Sequence, residues 1–516
     1  MKSQSFLKGA AIVALGGIAA KILGAFYRIP MTNLLGGEGM GMYQMVYPLY
    51  CLLLTVSATG IPSGLARMVA AAEAGGDFRR SRAILRTSLA VFSAIGFAGS
   101  AAMVLLAPLM GMAQREPGTV WGYRALAPGV FFVSVLSCFR GWFQGKSNFV
   151  PTALSEICEQ AVKVALGLWL VNVYKSDVRL AVTAALFAVT ASESAACLLM
   201  GLFAKNTQHV RPLFRDRLPR VRIRSLLRIT VPVTVAAGLL PLSGIADSIL
   251  IVRMIGRYAD NATALYGLFA GGAVTLVNLP VSVCYGIAAA IIPAVSALQS
   301  AGKSRAAEAK VVFALKCTLY LACPAAVFLG VFPGSIASFL FRSVSGTQGE
   351  TLAMLVRALA PTAVLLSAVQ TLSACLTGRG KPKIAAISMA AAVGVKFVVE
   401  AVLLQFPQIS VLGAAYACIA CYFVALLVNL LYSIRERKNR FAVLLQAGKF
   451  LWMSAVSVSA AAWLDVPIVL AFGVAAAVYL ALSVVLRAFS GEELHIAWRK
   501  KHDNRSRIGL QSRRFV

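Results

Sequence analysis

Apolar runs recur along the whole chain, and short polar segments separate them. A helix of about 20 apolar residues crosses the ~30 Å hydrocarbon core of a bilayer. The longest polar stretch, from about Lys205 to Arg228, is too short for a separate soluble domain. The pattern therefore predicts fourteen membrane-spanning helices. They cover residues 6–27, 42–72, 83–112, 122–144, 150–174, 178–204, 229–252, 262–298, 311–334, 351–378, 384–404, 409–433, 441–463 and 467–487.

The composition agrees with an all-α integral membrane protein. Of the 516 residues, 59% are apolar and only 13% are charged, whereas a soluble domain needs far more charge on its surface. Ten cysteines are scattered through the apolar helices, and their pattern does not suggest a metal site. We interpret them as packing residues and predict no metal and no cofactor.

The net charge of +30 is distributed unevenly between the two sides of the membrane. Alternate loops are strongly basic, and the loops between them carry only scattered charges. This positive-inside bias predicts that both termini are cytoplasmic. Attraction to anionic lipid accounts for the basic loops, so we expect membrane lipids and no nucleic acid as partners. The basic segments include residues 79–86, 205–228, 303–310, 379–383, 435–440 and 499–514.

The chain contains an internal duplication. Arg124-Ala-Leu-Ala-Pro128 recurs unchanged as Arg357-Ala-Leu-Ala-Pro361, 233 positions later, and the same offset places Lys163 on Lys396. An offset of 226 places Gly76 on Gly302. Several matches in order, at nearly constant spacing, predict two parallel six-helix repeats followed by two unpaired helices. Parallel repeats enclose a central substrate path in many transporters.

The duplication divides the chain into five expected parts. These are an N-lobe at 1–204, a basic cytoplasmic linker at 205–228, a C-lobe at 229–433, the last two helices at 434–490 and a basic cytoplasmic tail at 491–516. Gly60 and Pro62 interrupt the second helix, and Gly238 and Pro241 the seventh. Proline frees a backbone carbonyl, so these positions are candidate hinges or, equally, ordinary packing kinks.

Basic side chains lie inside three of the first four predicted helices. An ionisable residue there costs roughly 2.5–3.5 kcal/mol, so it indicates function or pairing. Lys21 and Arg28, seven residues apart, share one face of the first helix. With Arg67 and Arg140 they lack an acidic neighbour on their own helices, and we predict that the four line a cationic cavity that binds substrate. Arg28 and Arg140 lie near helix ends, so they could instead reach lipid headgroups.

A second set of buried charges contains the candidates for ion coupling or for counter-charges. Lys163 with Glu159, and Lys396 with Glu400, are four residues apart and could instead neutralise each other within one helix. The full set is Glu159, Lys163, Glu193, Asp247, Lys396 and Glu400.

A cationic cavity favours an anionic substrate. Arginine offers phosphate a bidentate fork, and lysine offers a point charge. The inside-negative membrane potential drives an anion outward by ~2.3 kcal/mol per charge per 100 mV. Export of a phosphorylated lipid therefore fits the pattern better than export of organic cations.

Three segments of the first two helices resemble the stage V sporulation protein B group. They are Lys21-Ile-Leu-Gly-Ala-Phe-Tyr-Arg-Ile-Pro30, Leu34-Leu-Gly-Gly-Glu-Gly-Met-Gly-Met-Tyr43 and Gly60-Ile-Pro-Ser-Gly-Leu-Ala-Arg67. The group comprises polysaccharide-biosynthesis-type exporters of Gram-positive bacteria, in the superfamily of lipid II flippases and multidrug and toxin extrusion antiporters. The resemblance spans nearly the whole chain and implies the six-plus-six-plus-two fold.

The resemblance implies a flippase for undecaprenyl-diphosphate-linked cell-wall or polysaccharide precursors in the bacterial plasma membrane. Its partner would be a polyprenyl-linked oligosaccharide lipid, with wall-synthesis machinery as a further partner and a monomeric transport unit. Lys21, Arg28 and Arg67 match the family's basic sites, and the last two helices would form a groove for the lipid tail. In lipid II flippases the eighth helix also contributes basic residues to the cavity, whereas the eighth predicted helix of this chain has no charged residue. Either the substrate is not lipid II, or Arg253, Lys316 or Lys396 supplies further phosphate contacts.

Other functions remain as alternatives at this point. A cation-coupled multidrug antiporter would share the fold but would need carboxylates in its binding lobe, and the first helix has none. A membrane glycosyltransferase or ligase would need acidic catalytic groups and large outer loops, so we expect no enzyme. A non-transporting scaffold for sporulation or wall synthesis would tolerate loss of the cavity charges, which are present.

Overall fold

The computed structural model of the chain describes residues 6–58, 61–206, 238–434 and 436–489, except the side chains of residues 6–22, 25, 26, 63 and 437. These ranges are almost entirely helical and contain no strand, which confirms the predicted all-α class. The helices are α1 (Phe6–Ala58), α2 (Ile61–Ala74), α3 (Phe78–Ala113), α4 (Thr119–Gly145), α5 (Val150–Val173), α6 (Val178–Asn206), α7 (Leu239–Ile255), α8 (Ala262–Ser300), α9 (Ser304–Val331), α10 (Pro333–Leu340), α11 (Gly346–Gly378), α12 (Pro382–Leu403), α13 (Leu412–Ser433), α14 (Arg437–Trp463) and α15 (Ile468–Val485).

The first two crossings both lie within α1. Gly36 has φ 67° and ψ −174°, a backbone conformation that glycine adopts readily and other residues rarely do, and it divides α1 into two arms. The first predicted helix was therefore too short, because the glycine-rich stretch after Leu35 resembles a loop although only Gly36 leaves the helical conformation.

Ten helices in the described ranges are long and apolar enough to span a bilayer. Helix α5 is 24 residues long but carries Glu156, Glu159 and Lys163, and α7 has 17 residues. With these two helices and the two arms of α1, the described part of the chain makes the predicted fourteen crossings.

The backbone repeats as the sequence does. Gly76 and Gly302, which follow equivalent helices, have φ of 70° and 71°, and each donates its N–H to the residue three positions earlier at 3.1 Å. Ser147 and Gly380, at the other offset, both have positive φ, and each donates its N–H at 2.9 Å in the same way. Corresponding turns therefore join corresponding helices in the two repeats.

Helices pack mostly within their own repeat. In the first half α4 packs against both α3 and α6, and in the second half α11 packs against α8, α9 and α13. Helix α14 packs on α9, and α15 on α14. Most of the predicted linker and the whole predicted tail lie outside the described residues, as does the start of the seventh predicted helix.

The two halves meet at the end of the molecule where α1 bends. Glycines allow the backbones to touch there, since an added Cβ on Gly41 would overlap the Thr263 carbonyl and one on Gly267 the Gly37 carbonyl. A π-helical turn in α8, Leu268–Ala273, lies at this contact. Gln44 Nε2 donates to the Ala270 carbonyl at 3.2 Å. The interface therefore closes this end of the space between the halves.

Candidate functional site

A cavity of about 400 Å³ lies between the two halves. Its volume falls within the range of ~300–1,000 Å³ typical of small-molecule sites. Helices α1 and α5 form its first wall, and α8 and α11 its second. The described lining residues are Gly24, Tyr27, Arg28, Tyr43, Tyr47, Gln160, Lys163, Thr275, Asn278, Val281, Ser282, Tyr285 and Gln370.

The first half supplies the positive charge of this cavity. Arg28 on α1 is partly buried, and its Nη1 donates to Thr275 Oγ1 across the cavity at 3.4 Å. Lys163 on α5 places its Nζ 5.9 Å from the centroid of the Tyr27 ring, a geometry that favours a cation over the aromatic face. Among the described lining residues there is no carboxylate. Two cations thus face a space large enough for an anionic ligand.

The second half supplies neutral polar groups that our sequence reasoning missed. Thr275, Asn278, Ser282 and Tyr285 lie on α8 at spacings of three, four and three, which places them on one face of a helix. The spacing of these polar residues was visible in the sequence, but our prediction considered only charged residues. Gln370 on α11 completes this wall.

A smaller cavity of about 220 Å³ adjoins the first and shares Arg28 and Asn278 with it. Asp247 on α7 and Lys396 on α12 line it and form an ion pair. Glu400, one turn further along α12, is fully buried beside them. The suggested pairing of Lys396 with Glu400 within one helix is therefore corrected, because Asp247 on the neighbouring helix lies closer to the ammonium group.

A second ionic cluster lies in the first half. Arg140 on α4 forms a salt bridge with Glu159 on α5, with 3.0 Å between Nη2 and Oε2. Glu159 also accepts a hydrogen bond from Gln160 at 3.1 Å. Arg140 is therefore paired and is not among the cavity-lining residues, contrary to our expectation. Glu193 on α6 is buried, and its Oε1 accepts from the Tyr50 hydroxyl at 3.4 Å.

The remaining candidates are scattered. Arg67 on α2 is exposed and does not line either cavity. Lys21 belongs to α1, but its side chain lies outside the described residues. Arg253 Nε donates to the Ala113 carbonyl at 2.6 Å, at the closed end. Lys316 lies with its Nζ 5.0 Å from the Phe489 ring centroid, where α9 meets the end of the described chain.

The proposed hinge positions mostly occur at helix starts. Pro62 is the second residue of α2 and Pro241 the third of α7, where a missing N–H breaks no helical hydrogen bond. Gly238 is the N-cap of α7. Gly60 lies outside the described residues.

Known proteins resemble the chain in sequence. The family described as "Polysaccharide biosynthesis protein" matches residues 6–299. Stage V sporulation protein B of Bacillus subtilis (strain 168) is 26% identical over 96% of this chain and 98% of its own length. Lipid II flippase MurJ of the same organism is 23% identical over 86% of this chain and 85% of its own length.

Solved structures share the fold. An inward-facing multidrug resistance MATE family transporter of the MOP superfamily covers 84% of this chain and 98% of its own, with a TM-score of 0.71 at 16% identity. Lipid II flippase MurJ in an inward closed conformation covers 92% of this chain and 98% of its own, with a TM-score of 0.71 at 12% identity.

The sequence match and the shared fold lead to one assignment. The family match covers more than half of the 516 residues, and the fold is shared with the MATE family transporter and with MurJ. The chain is a multi-pass membrane protein that belongs to the polysaccharide biosynthesis protein family.

Proposed function

We propose that the chain is a flippase that moves an undecaprenyl-diphosphate-linked cell-wall or polysaccharide precursor from the inner to the outer leaflet. The observation that carries the proposal is the cavity between the halves, where Arg28 and Lys163 face the same space without a carboxylate among the described lining residues. Two cations match the charge of a diphosphate, and arginine can bind it through a pair of hydrogen bonds.

The relatives support this substrate class. One is named a lipid II flippase and another a stage V sporulation protein, and the matching family is described by polysaccharide biosynthesis. A sporulation or wall-synthesis role follows for this chain as part of the proposal, with wall-synthesis machinery as a partner. The protein acts as a monomeric transporter and not as an enzyme.

Alternating access follows from the two-repeat architecture. We assign the basic end of the molecule to the cytoplasm by the positive-inside rule, with both termini on that side. The halves then touch at the outer end, through Gly41 and Gly267, and the substrate enters from the cytoplasm. The lobes at 1–204 and 229–433 would rock about helix starts such as those at Pro62 and Pro241, and this motion would open the outer end.

The last two helices suit the polyprenyl tail. Helices α14 and α15 expose large apolar side chains, among them Trp452, Trp463 and Phe472. In a bilayer these surfaces face acyl chains, so a lipid tail can remain in the membrane while the diphosphate occupies the cavity. We propose residues 434–490 as the tail-binding part of the chain.

A cation-coupled multidrug antiporter is the second candidate, favoured by the buried Glu400 and the partly buried Asp247. Asp247, however, is already paired with Lys396, and the larger cavity presents cations. A site for cationic drugs would require the opposite sign. We therefore assign the carboxylates to counter-charge or ion coupling within the flippase cycle.

Depletion of the protein tests the proposal in its host cell. Radiolabelled lipid-linked precursor should accumulate in the inner leaflet and fail to reach the outer one. Undiminished export after depletion would contradict the flippase function.

A variant then tests the site. Arg28→Gln should reduce export by about 10- to 100-fold, since a hydrogen bond to a charged group is worth about 1.5–3 kcal/mol. The matched control is Arg124→Gln, because Arg124 is exposed on α4 and lies over the Trp121 ring. The control should export normally at equal membrane abundance. Equal export by both variants would remove Arg28 from the site.

A further inference from the structure

The two walls of the larger cavity differ in chemistry. Its two described cations, Arg28 and Lys163, come from the first half, whereas the second half contributes Thr275, Asn278 and Gln370, which are neutral. A substrate that is anionic at one end and neutral at the other would match this division.

The side chain of Gln160 indicates which kind of ligand group the cavity would bind beside the anion. It lines the cavity, is 8% exposed, and its Nε2 donates to Glu159 Oε1 at 3.1 Å. Glu159 is itself held by the salt bridge to Arg140. This chain of contacts fixes the amide so that Oε1 is the free end, and that oxygen is buried with no hydrogen-bond partner among the described residues.

The same condition occurs on other parts of the lining. Gln370 Oε1 and the Tyr27 hydroxyl are also buried without a partner in the described part of the chain. An amide oxygen accepts hydrogen bonds and cannot donate them, and the same is true of an ionised phosphate or carboxylate oxygen. A phosphate therefore cannot satisfy Gln160 and Gln370, but a sugar hydroxyl or an acetamido N–H can.

We propose that the cavity selects a neutral sugar next to the diphosphate, with Gln160 and Gln370 accepting hydrogen bonds from its hydroxyl or acetamido groups. The diphosphate lies against Arg28 and Lys163, and the sugar extends to the polar face of α8. A carboxylate on that sugar would meet amide oxygens and lose its hydration without a new partner, which is unfavourable. Precursors whose first sugar is a uronic acid are therefore rejected. This inference rests on the proposed function.

Binding to three short-chain probes tests the selection. The purified full chain is titrated with farnesyl diphosphate, farnesyl-diphospho-N-acetylglucosamine and farnesyl-diphospho-glucuronic acid. The neutral conjugate should bind at least about tenfold more tightly than the acidic one. Equal affinity for both conjugates would overturn the inference and leave the flippase proposal intact. Absence of binding by all three probes would overturn the proposed function as well.

Two variants assign the selection to the glutamines. Gln160→Met and Gln370→Met should each lose most of the preference for the neutral conjugate over farnesyl diphosphate and keep the affinity for farnesyl diphosphate itself. The retained affinity shows that the protein is folded. Gln446→Met is the matched control, because Gln446 on α14 also has a buried, unpartnered amide oxygen in the described structure but does not line the cavity. An unchanged preference in both cavity variants would overturn the assignment.

Discussion

Two acids and one base lie together inside the second half: Asp247, Glu400 and Lys396. The positive charge of Lys396 therefore stabilises the charges of its acidic neighbours. Lys396 pairs with Asp247, and Glu400 lies beside both. Removing one partner of a buried ion pair costs about 3–5 kcal/mol, because the other charge is left buried and unpaired.

We expect Lys396→Met to lower the stability of the second half by about that amount, ~3–5 kcal/mol. The midpoint of thermal unfolding in detergent measures the effect. The double variant Lys396→Met with Asp247→Asn should recover part of the loss, since it removes the charge left without a partner. A double variant as unstable as the single one would show that the pair contributes through packing instead of charge.

Pairing across helices is the part of the site that one sequence could not predict. Arg140 and Glu159 are on different helices, and Asp247 and Lys396 are 149 positions apart. A reading of spacing within one helix found the acids and bases but assigned the wrong partners. Arg28 was predicted as a cavity cation from the sequence alone, because an unpaired cation inside a membrane helix is costly wherever it points. Lys163 was assigned to the coupling or counter-charge set, and the structure places it on the cavity wall beside Arg28.

Helices were predicted more reliably than their ends and faces. Hydrophobic runs gave all the crossings, and the repeated pentapeptide gave the two halves. The bend at Gly36 was missed because φ is not visible in a glycine-rich sequence, and the polar face of α8 was missed because it carries no charge. The two errors concern backbone conformation and uncharged polar residues. Both are harder to recognise in a sequence than the apolar runs that predict membrane helices.

The contact between the second arm of α1 and α8 makes a prediction at this scale. Gly41→Ala adds a Cβ that overlaps the Thr263 carbonyl, a backbone atom that cannot move aside alone. We expect this end of the molecule to open, and spin labels at Lys175 and Asp260, both exposed, to move apart by several ångströms in pulsed distance measurements. Gly201→Ala on α6 is the control, because nothing lies within 4 Å of its added Cβ. Unchanged distances in the Gly41 variant would show that the close contact does not hold this end shut.

At the scale of the whole molecule, the proposed function carries a charged lipid past a cationic cavity inside a membrane that has a potential, so we expect transport to be electrogenic. A diphosphate moving from the inner to the outer side carries about two negative charges, and each is worth ~2.3 kcal/mol per 100 mV across the full field. An inside-negative potential therefore drives export, unless a co-transported cation cancels the charge.

The potential dependence can be measured in proteoliposomes that contain a fluorescent lipid-linked sugar. A potassium gradient with valinomycin sets the potential, and a membrane-impermeant reductant reports how much probe has reached the outer leaflet. Reversing a potential of about 100 mV should change the initial rate by at least about tenfold, since only part of the ~2.3 kcal/mol per charge needs to act on the slow step. Liposomes with Arg28→Gln protein provide the background rate. A rate independent of potential would mean that a cation moves with the substrate, and Asp247 and Glu400 would then be the first carboxylates to replace.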